Sequence, residues 1–300
     1  MSDAKNPVVT YFEGTRWDYR WLWRSEKAGA YHFGYYDSHT RGHVQSLQRM
    51  TSHLAALAEI SSTDRVMDAG CGLGGDAIWL ARHRSCHVTG VNITPYQVAA
   101  AWESARRAGV SGSVEFVEAD YTDTGLPGGA FNVVWALESV VQARDKGAFL
   151  REAHRLLLPG GRLMMAEYML RESPAITDAE HADLQTWCEG WVMSRLLSET
   201  AYRELLAEHG FDKVEVVDIS RNVAPSLRRL DRLVRLLGPT APMFERLGVL
   251  GPIPAKNLHA AAAQIRTFDK GTWRYKVVLA QRRHTEAAHG NAGEGHVVDR

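Results

Sequence analysis

Cysteine is scarce in this chain, and what there is does not cluster. Cys71, Cys86 and Cys188 stand far apart, with no CxxC pair and no ladder of half-cystines. That excludes a disulfide-stapled scaffold and a cysteine-built zinc site, and it fits a reducing compartment. Net charge is missing too: 35 basic residues meet 35 acidic ones. A protein so balanced is not organised around bulk attraction to nucleic acid or to an anionic membrane. No apolar run reaches the length of a membrane span, so no stable membrane insertion is expected. The opening residues MSDAKNPVVTYFEGTR lack the apolar core of a secretory leader, and a cytoplasmic protein is expected. Internal repeats are absent. Residues 284–300, HTEAAHGNAGEGHVVDR, are aperiodic and rich in Gly, Ala and His; a disordered tail is expected there rather than a metal site.

What remains is an ordinary globular composition and a readable alternation. Arg65 to Ala69 forms a short apolar strand, and Asp76 to His83 has helical spacing of apolar residues. Between them Gly70, Gly72, Gly74 and Gly75 let the backbone turn sharply and approach a ligand, while the next helix offers free N–H groups. A glycine run alone is a weak signal. Asp68 sharpens it, because a carboxylate at the mouth of the loop would repel a pyrophosphate and attract an ammonium group. That argues against a dinucleotide and for an amino-acid-bearing nucleotide.

The alternation continues. CHVTGVNI reads as a second strand, and PYQVAAAWESARRAG as a helix with Pro95 in its first turn and Gly109 past its end. VEFVEAD and FNVVWALES are the third and fourth strands. KGAFLREAHRLLLPGG is a helix ended by Pro159, Gly160 and Gly161, and RLMMAEYM is the fifth strand. Strands separated by helices mean a parallel sheet covered on both faces, whose ligands sit beyond the carboxyl ends of the strands. Asp68, Asn92, Asp120, Glu138 and Glu167 fall at or near those five ends.

VMDAGCGLGG, VTGVNITPYQV, FVEADYTD and LLPGGRL together resemble the successive motifs of class I S-adenosylmethionine-dependent methyltransferases, over roughly residues 60 to 170. The resemblance implies an α/β, Rossmann-like seven-stranded sheet with helices on both faces and S-adenosyl-L-methionine as cofactor. It implies that Gly70 and Gly72, with Cys71 between them, approach the methionine part. It implies that Asp120 and Tyr121 flank the adenine, and that the end of the second strand, Asn92 and Ile93, meets the ribose. Members usually carry Asp or Glu where this chain has Asn92. An amide oxygen still accepts one hydroxyl bond, and Gln97 is the candidate for another.

Four further stretches, AYHFGYYD, VNITPYQV, WALESVVQARDK and AEYM, are similar to sterol and tocopherol methyltransferases. They resemble still more the bacterial enzymes that C-methylate prenyl diphosphates. That resemblance implies methyl transfer to an isoprenoid alkene in bacterial specialised metabolism, with a prenyl diphosphate (isopentenyl, geranyl or farnesyl) as the expected acceptor. An alkene is a poor nucleophile, and its attack on a sulfonium methyl leaves a carbocation. The cation needs aromatic shelter and a carboxylate to take its proton. Glu167 is the first candidate base and Glu138 the second. Tyr31 and His32 belong to a lid over the cofactor, and Tyr35, Tyr36, Trp187 and Trp191 are candidate acceptor contacts. The aromatics at Trp17, Trp21 and Trp23 suit an N-terminal lid, but core packing is the expectation for any one of them. His39 and His43 have the spacing of a metal pair but no third ligand, so no metal is assigned there.

The expected organisation is an aromatic helical lid over 1–60, a cofactor domain over 61–220 and 271–283, and a helical cap inserted at 221–270. VEVVDIS and WRYKVVLA supply the sixth and seventh strands. In the cap, Arg228, Arg229, Arg232 and Arg235 oppose a leucine face. They make either a solvated surface or a clamp in which Arg228 and Arg232 hold a diphosphate, with Mg2+ accompanying it. Two rival readings stay open: O- or N-methylation of a phenol or amine, and a non-catalytic cofactor fold. The sequence leaves homo-oligomerisation undecided.

Overall fold

The computed structural model describes residues 6–16, 29–238 and 252–283. Trp17, Trp21, Trp23 and the 284–300 tail lie outside the described residues. In chain order the elements are α1 (Pro7–Gly14), α2 (His43–Leu57), β1 (Arg65–Ala69), α3 (Gly75–Arg84), β2 (His87–Asn92), α4 (Pro95–Ala108), β3 (Val114–Glu118) and β4 (Phe131–Leu137). A 3-10 turn (Val140–Gln142) follows, then α5 (Lys146–Leu156), β5 (Leu157–Leu170), α6 (Asp178–Gly190), α7 (Glu199–Glu208), β6 (Phe211–Asp218), α8 (Ser220–Leu237), α9 (Pro252–Asp269) and β7 (Trp273–Arg282).

Seven strands form one sheet in the order β3-β2-β1-β4-β5-β7-β6. It is mixed rather than wholly parallel: β7 enters antiparallel between β5 and β6. The fifth strand also starts earlier than its Pro-Gly-Gly suggests. Leu157 already pairs with Phe131, the chain makes an irregular excursion, and pairing resumes at Arg162 opposite Val133. A proline and two glycines can thus sit in a bulge inside a strand instead of ending a helix.

Local signals explain the boundaries. Pro95 opens α4, and Gly109, at φ +71°, closes it in the left-handed conformation that glycine adopts without cost. Thr177 and Glu180 form a capping box at the start of α6.

Period-two alternation sorts the strand residues onto two faces. Val133, Trp135, Met164, Ala166, Tyr168, Tyr275 and Val277 face a core shared with α2, α3, α4, α6, α8 and α9. Met67, Val91, Val134, Ala136, Met165, Met169 and Val278 face the other core, built with Phe149 and Leu150 of α5 and Tyr202 and Leu206 of α7. Glu167 lies between Met165 and Met169 in sequence, so its side chain belongs to the second face. Tyr168 belongs to the first.

In the cap region α8 turns Val223, Leu227 and Leu230 inward, and Arg228 and Arg232 are exposed on its outer side. The arginines are a solvated face.

Candidate functional site

A cleft opens at the carboxyl ends of β1, β2 and β4. Its floor is the turn after β1. Gly70 and Gly72 both take positive φ, +83° and +54°. A Cβ on Gly70 would stand 2.6 Å from Cβ of Ser139, and one on Gly72 would meet the Tyr31 ring at 3.3 Å. The turn therefore lies flat against the end of β4 and under Tyr31, which only glycine permits. Behind it Asp68 is 3% exposed. Among the described residues its Oδ2 has no hydrogen-bond partner, and neither has Oγ of Ser139. Burial pushes the Asp68 carboxyl well above its usual range, and the neighbouring Asp76 adds to the rise. A buried acceptor without a donor is costly, and the ammonium of an amino-acid ligand is the kind of partner it lacks.

At the end of β2, Asn92, Ile93 and Gln97 line the cleft. Asn92 donates from Nδ2 to Gln97 Oε1 at 2.7 Å, and its Oδ1 accepts from the Thr94 amide at 3.2 Å. The pair is locked, leaving Asn92 Oδ1 a lone pair for one hydroxyl rather than two. Tyr121 lines the cleft and also a second, wider cavity with Asp120, Thr122 and Ile93. Its hydroxyl donates to the Ser139 carbonyl at 2.9 Å. Donor sets for an amino-acid end, a ribose and an adenine thus follow one another along the strand ends. The residues present fit S-adenosylmethionine.

The roof comes from the N-terminal segment. Residues 29–36 are irregular, not helical, and are pinned from end to end. Gly75 donates to the Gly29 carbonyl at 3.0 Å, Tyr35 to Ser46 at 2.9 Å, and Tyr36 to Asn222 at 2.9 Å. Helix α1 crosses above, with Val8, Tyr11 and Phe12 on the cleft. The Tyr96 hydroxyl bonds the Phe12 carbonyl at 3.0 Å, and Phe12 stacks on Tyr31 at 6.1 Å. Tyr31 and His32 line the cleft. The side chains of Tyr35 and Tyr36 do not: Tyr35 stacks on His53 at 4.1 Å, away from it.

The acceptor side of the cleft holds Leu137, Glu138, Val141, Gln142, Tyr168, Trp191 and Met193. Glu138 sits at φ +52°, just past β4. Its Oε1 accepts from the Phe33 amide at 2.7 Å and from the Tyr275 hydroxyl at 2.7 Å, and its Oε2 accepts from the Tyr168 hydroxyl. Burial raises its pKa, opposed by the charge of His32 and by these donors. His32 is 4% exposed and forms an ion pair with Asp76 at 3.4 Å. Burial disfavours its imidazolium, yet Asp76 and Glu138 outweigh that and lift it to about 9. The Thr51 hydroxyl donates to Asp76. A buried cation between two carboxylates therefore ties the roof to α3 and to the end of β4.

Glu167, the first candidate base, is elsewhere. It is wholly buried on the opposite sheet face and does not line the cleft. Its Oε1 accepts from the Val140 amide at 3.1 Å, and burial pushes its carboxyl up to about 8 despite the charge of Lys146. Trp187 is also off the cleft, fully buried against Tyr168 and Trp273 at 5.1 Å each. It supports Tyr168 from behind. Arg228 and Arg232 point to solvent and cannot clamp a ligand in the cleft. Among the described residues no group of three or more His, Cys, Asp and Glu side chains is gathered as a cation site. Sequence reasoning missed Tyr275, Ser139, Gln142 and Met193. Tyr275 lies opposite Tyr168 across the β5–β7 register, a pairing that only the antiparallel insertion creates.

The family described as "Methyltransferase domain" matches residues 67–165. The 27-O-demethylrifamycin SV methyltransferase of Amycolatopsis mediterranei (strain S699) is 35% identical over 195 residues, covering 65% of this chain and 71% of that one. The sterol 24-C-methyltransferase erg-4 of Neurospora crassa is 30% identical over 177 residues, 59% of this chain and 47% of that one. Among solved structures, the [4+2]-cyclase SpnF superimposes with TM-score 0.71 at 25% identity, covering 92% of this chain and 97% of that one. A geranyl diphosphate methyltransferase in complex with GPP and sinefungin gives TM-score 0.72 at 18% identity, with 92% and 97% covered.

Proposed function

The chain belongs to the class I S-adenosylmethionine-dependent methyltransferases, and from that premise we propose that it methylates a carbon of an isoprenoid double bond. S-adenosylmethionine supplies an electrophilic methyl on a sulfonium. The chain's own residues do the rest. Gly70, Gly72, Asn92 and Tyr121 hold the donor's ends, and the pinned roof of Tyr31 and Phe12 excludes water. Phe12, Tyr31, Tyr168 and Trp191 present ring faces or edges to the acceptor, and Leu137, Val141 and Met193 supply apolar wall. As the new C–C bond forms, the S–CH3 bond breaks and its electron pair stays on sulfur. The resulting cation loses a proton to Glu138, and the C–H pair restores a double bond.

One observation carries this reading: Glu138, a carboxylate on the acceptor side of the cleft, is half-buried beside aromatic rings and oriented by three donors. A carboxylate so placed is a base of raised pKa in an apolar site. The expectation of Glu167 as base gives way to Glu138 on the geometry. The diphosphate clamp likewise loses its two arginines, so the proposal concerns the hydrocarbon part of the acceptor and leaves out Mg2+.

The name of the 35%-identical relative, which concerns an O-demethylated rifamycin, favours a second reading: transfer to a hydroxyl of a large natural product. Glu138 would then take the hydroxyl proton. Methyl-labelled donor, offered with geraniol, farnesol, squalene, a sterol, a phenol and a macrocyclic alcohol, separates the two. Label in squalene supports the first reading. Label in the phenol or macrocycle alone overturns it.

A further inference from the structure

Two pieces of wall on the acceptor side are held by groups that never touch the cleft. One is the turn after β4, whose Ser139, Val141 and Gln142 line it. The other is the loop after α6, whose Trp191 and Met193 line it. Between that pair Val192 sits at φ +52°, a conformation that a β-branched residue adopts only when its surroundings enforce it. The enforcing contacts are visible. Ser194 donates its amide to the Val141 carbonyl at 2.7 Å and its hydroxyl to the same oxygen at 3.0 Å. The Gln142 side-chain amide reaches the Trp191 carbonyl at 3.4 Å. From beneath, the ammonium of Lys146 bonds Ser194 Oγ, and Glu167 takes the Val140 amide. Lys146 is 7% exposed and Glu167 fully buried.

We infer that the buried Glu167 and Lys146, with the half-buried Ser194, form a clamp that positions the acceptor-side wall by locking the turn after β4 to the loop after α6. Glu167 and Lys146 line neither cavity, whereas Ser194 lines the second one; all three act through the backbone of Val140 and Val141. The charges support this. Burial lowers the Lys146 pKa while Glu167 raises it, so each group steadies the other in a site neither would occupy alone. The clamp explains why a carboxylate stands at the end of β5 facing away from the cleft: it serves the turn and not the reaction. The words "acceptor-side" rest on the proposed function; the clamp itself does not.

The test uses the full chain saturated with S-adenosylhomocysteine, and the variants S194A, E167A, E167Q and K146M/E167Q. Hydrogen exchange is followed in peptides spanning 138–142 and 191–194. S194A and E167A are expected to speed exchange in both peptides about tenfold or more, with β1 and β4 unchanged. E167Q keeps an acceptor for the Val140 amide and is expected to restore protection there. K146M/E167Q removes the ammonium and the titrating carboxyl together, and is expected to expose the 191–194 peptide more than the 138–142 peptide. With the acceptor that wild type turns over, KM should rise about fivefold or more in S194A and E167A. In E167A, whose side chain lines neither cavity, affinity for S-adenosylhomocysteine should stay within about twofold. Unchanged exchange, exchange that rises uniformly through the sheet, or donor affinity that falls in step with KM would each overturn the clamp. If wild type methylates no isoprenoid at all, the proposed function fails while the exchange data still decide the clamp.

Discussion

Replacing Glu138 by Gln removes the base with little change in shape, and its consequences can be worked from the contacts. The remaining amide oxygen still accepts from the Phe33 amide and the Tyr275 hydroxyl, both 2.7 Å away in the wild type. The new NH2 faces Tyr168, whose hydroxyl can rotate to accept. Three charge-assisted bonds become neutral ones, a loss of about 1 kcal/mol each. The gain is that a buried charge no longer has to be desolvated. These effects oppose one another, so net stability should change by no more than about 2 kcal/mol. Catalysis has no such offset. A positioned base contributes about 10²–10⁴-fold, or roughly 3–5 kcal/mol of barrier at about 1.4 kcal/mol per tenfold. The assay is single-turnover methyl transfer from labelled donor, with binding of S-adenosylhomocysteine followed by calorimetry. The expected result is turnover down about a thousandfold with donor affinity within about threefold. E138Q turning over within about threefold of wild type, with the same product, refutes Glu138 as the base.

Four further outcomes follow from the same structure. Tyr275→Phe removes one donor to the carboxylate while leaving the base; the acid limb of kcat/KM should move to higher pH, because a carboxylate with fewer donors is more basic. Gly70→Ala combines a φ of +83° with a Cβ 2.6 Å from Ser139, and should weaken S-adenosylhomocysteine binding about tenfold or more by calorimetry. Gly109→Ala, with φ +71° but open space around it, should cost only about 1 kcal/mol of stability and leave that binding unchanged. His32 is lifted from 6.5 to about 9. Its imidazolium therefore stabilises the fold fully below pH 6.5, and that stabilisation disappears as pH rises through 9. Urea unfolding should show about 3 kcal/mol of stability lost across that window in wild type and not in His32→Asn. A flat profile in wild type would contradict the ion pair with Asp76.

The strand-end rule made much of this site legible. Asn92 and Glu138, which line the cleft, could be named because an α/β sheet gathers its ligands at one edge, while Gly70, Gly72 and Tyr121, which line it too, came from the resemblance to the methyltransferase motifs. The N-terminal aromatics divided in a way composition cannot foresee: Tyr31 and His32 reach the cleft, while Tyr35 packs on His53. Glu167 was decidable in principle. It and Tyr168 are neighbours on one strand, so only one of them can face the cleft; with Trp135 and Tyr168 aligned on the aromatic face, the carboxylate had to face the other way. Arg228 and Arg232 were decidable too, since Leu227 and Leu230 claim the inner face of α8. Tyr275 was not. Its role depends on β7 running antiparallel beside β5, and a strand at the end of the sequence carries no mark of where in the sheet it will insert.

The central claim is that the methyl group ends on carbon, with its proton taken by the half-buried carboxylate after β4. A donor labelled with carbon-13 in its methyl group, turned over with the accepted substrate and read by NMR, tests this directly. The new signal is expected among the aliphatic methyls bound to carbon. A signal in the methoxy region, from wild type acting on its best acceptor, would contradict it.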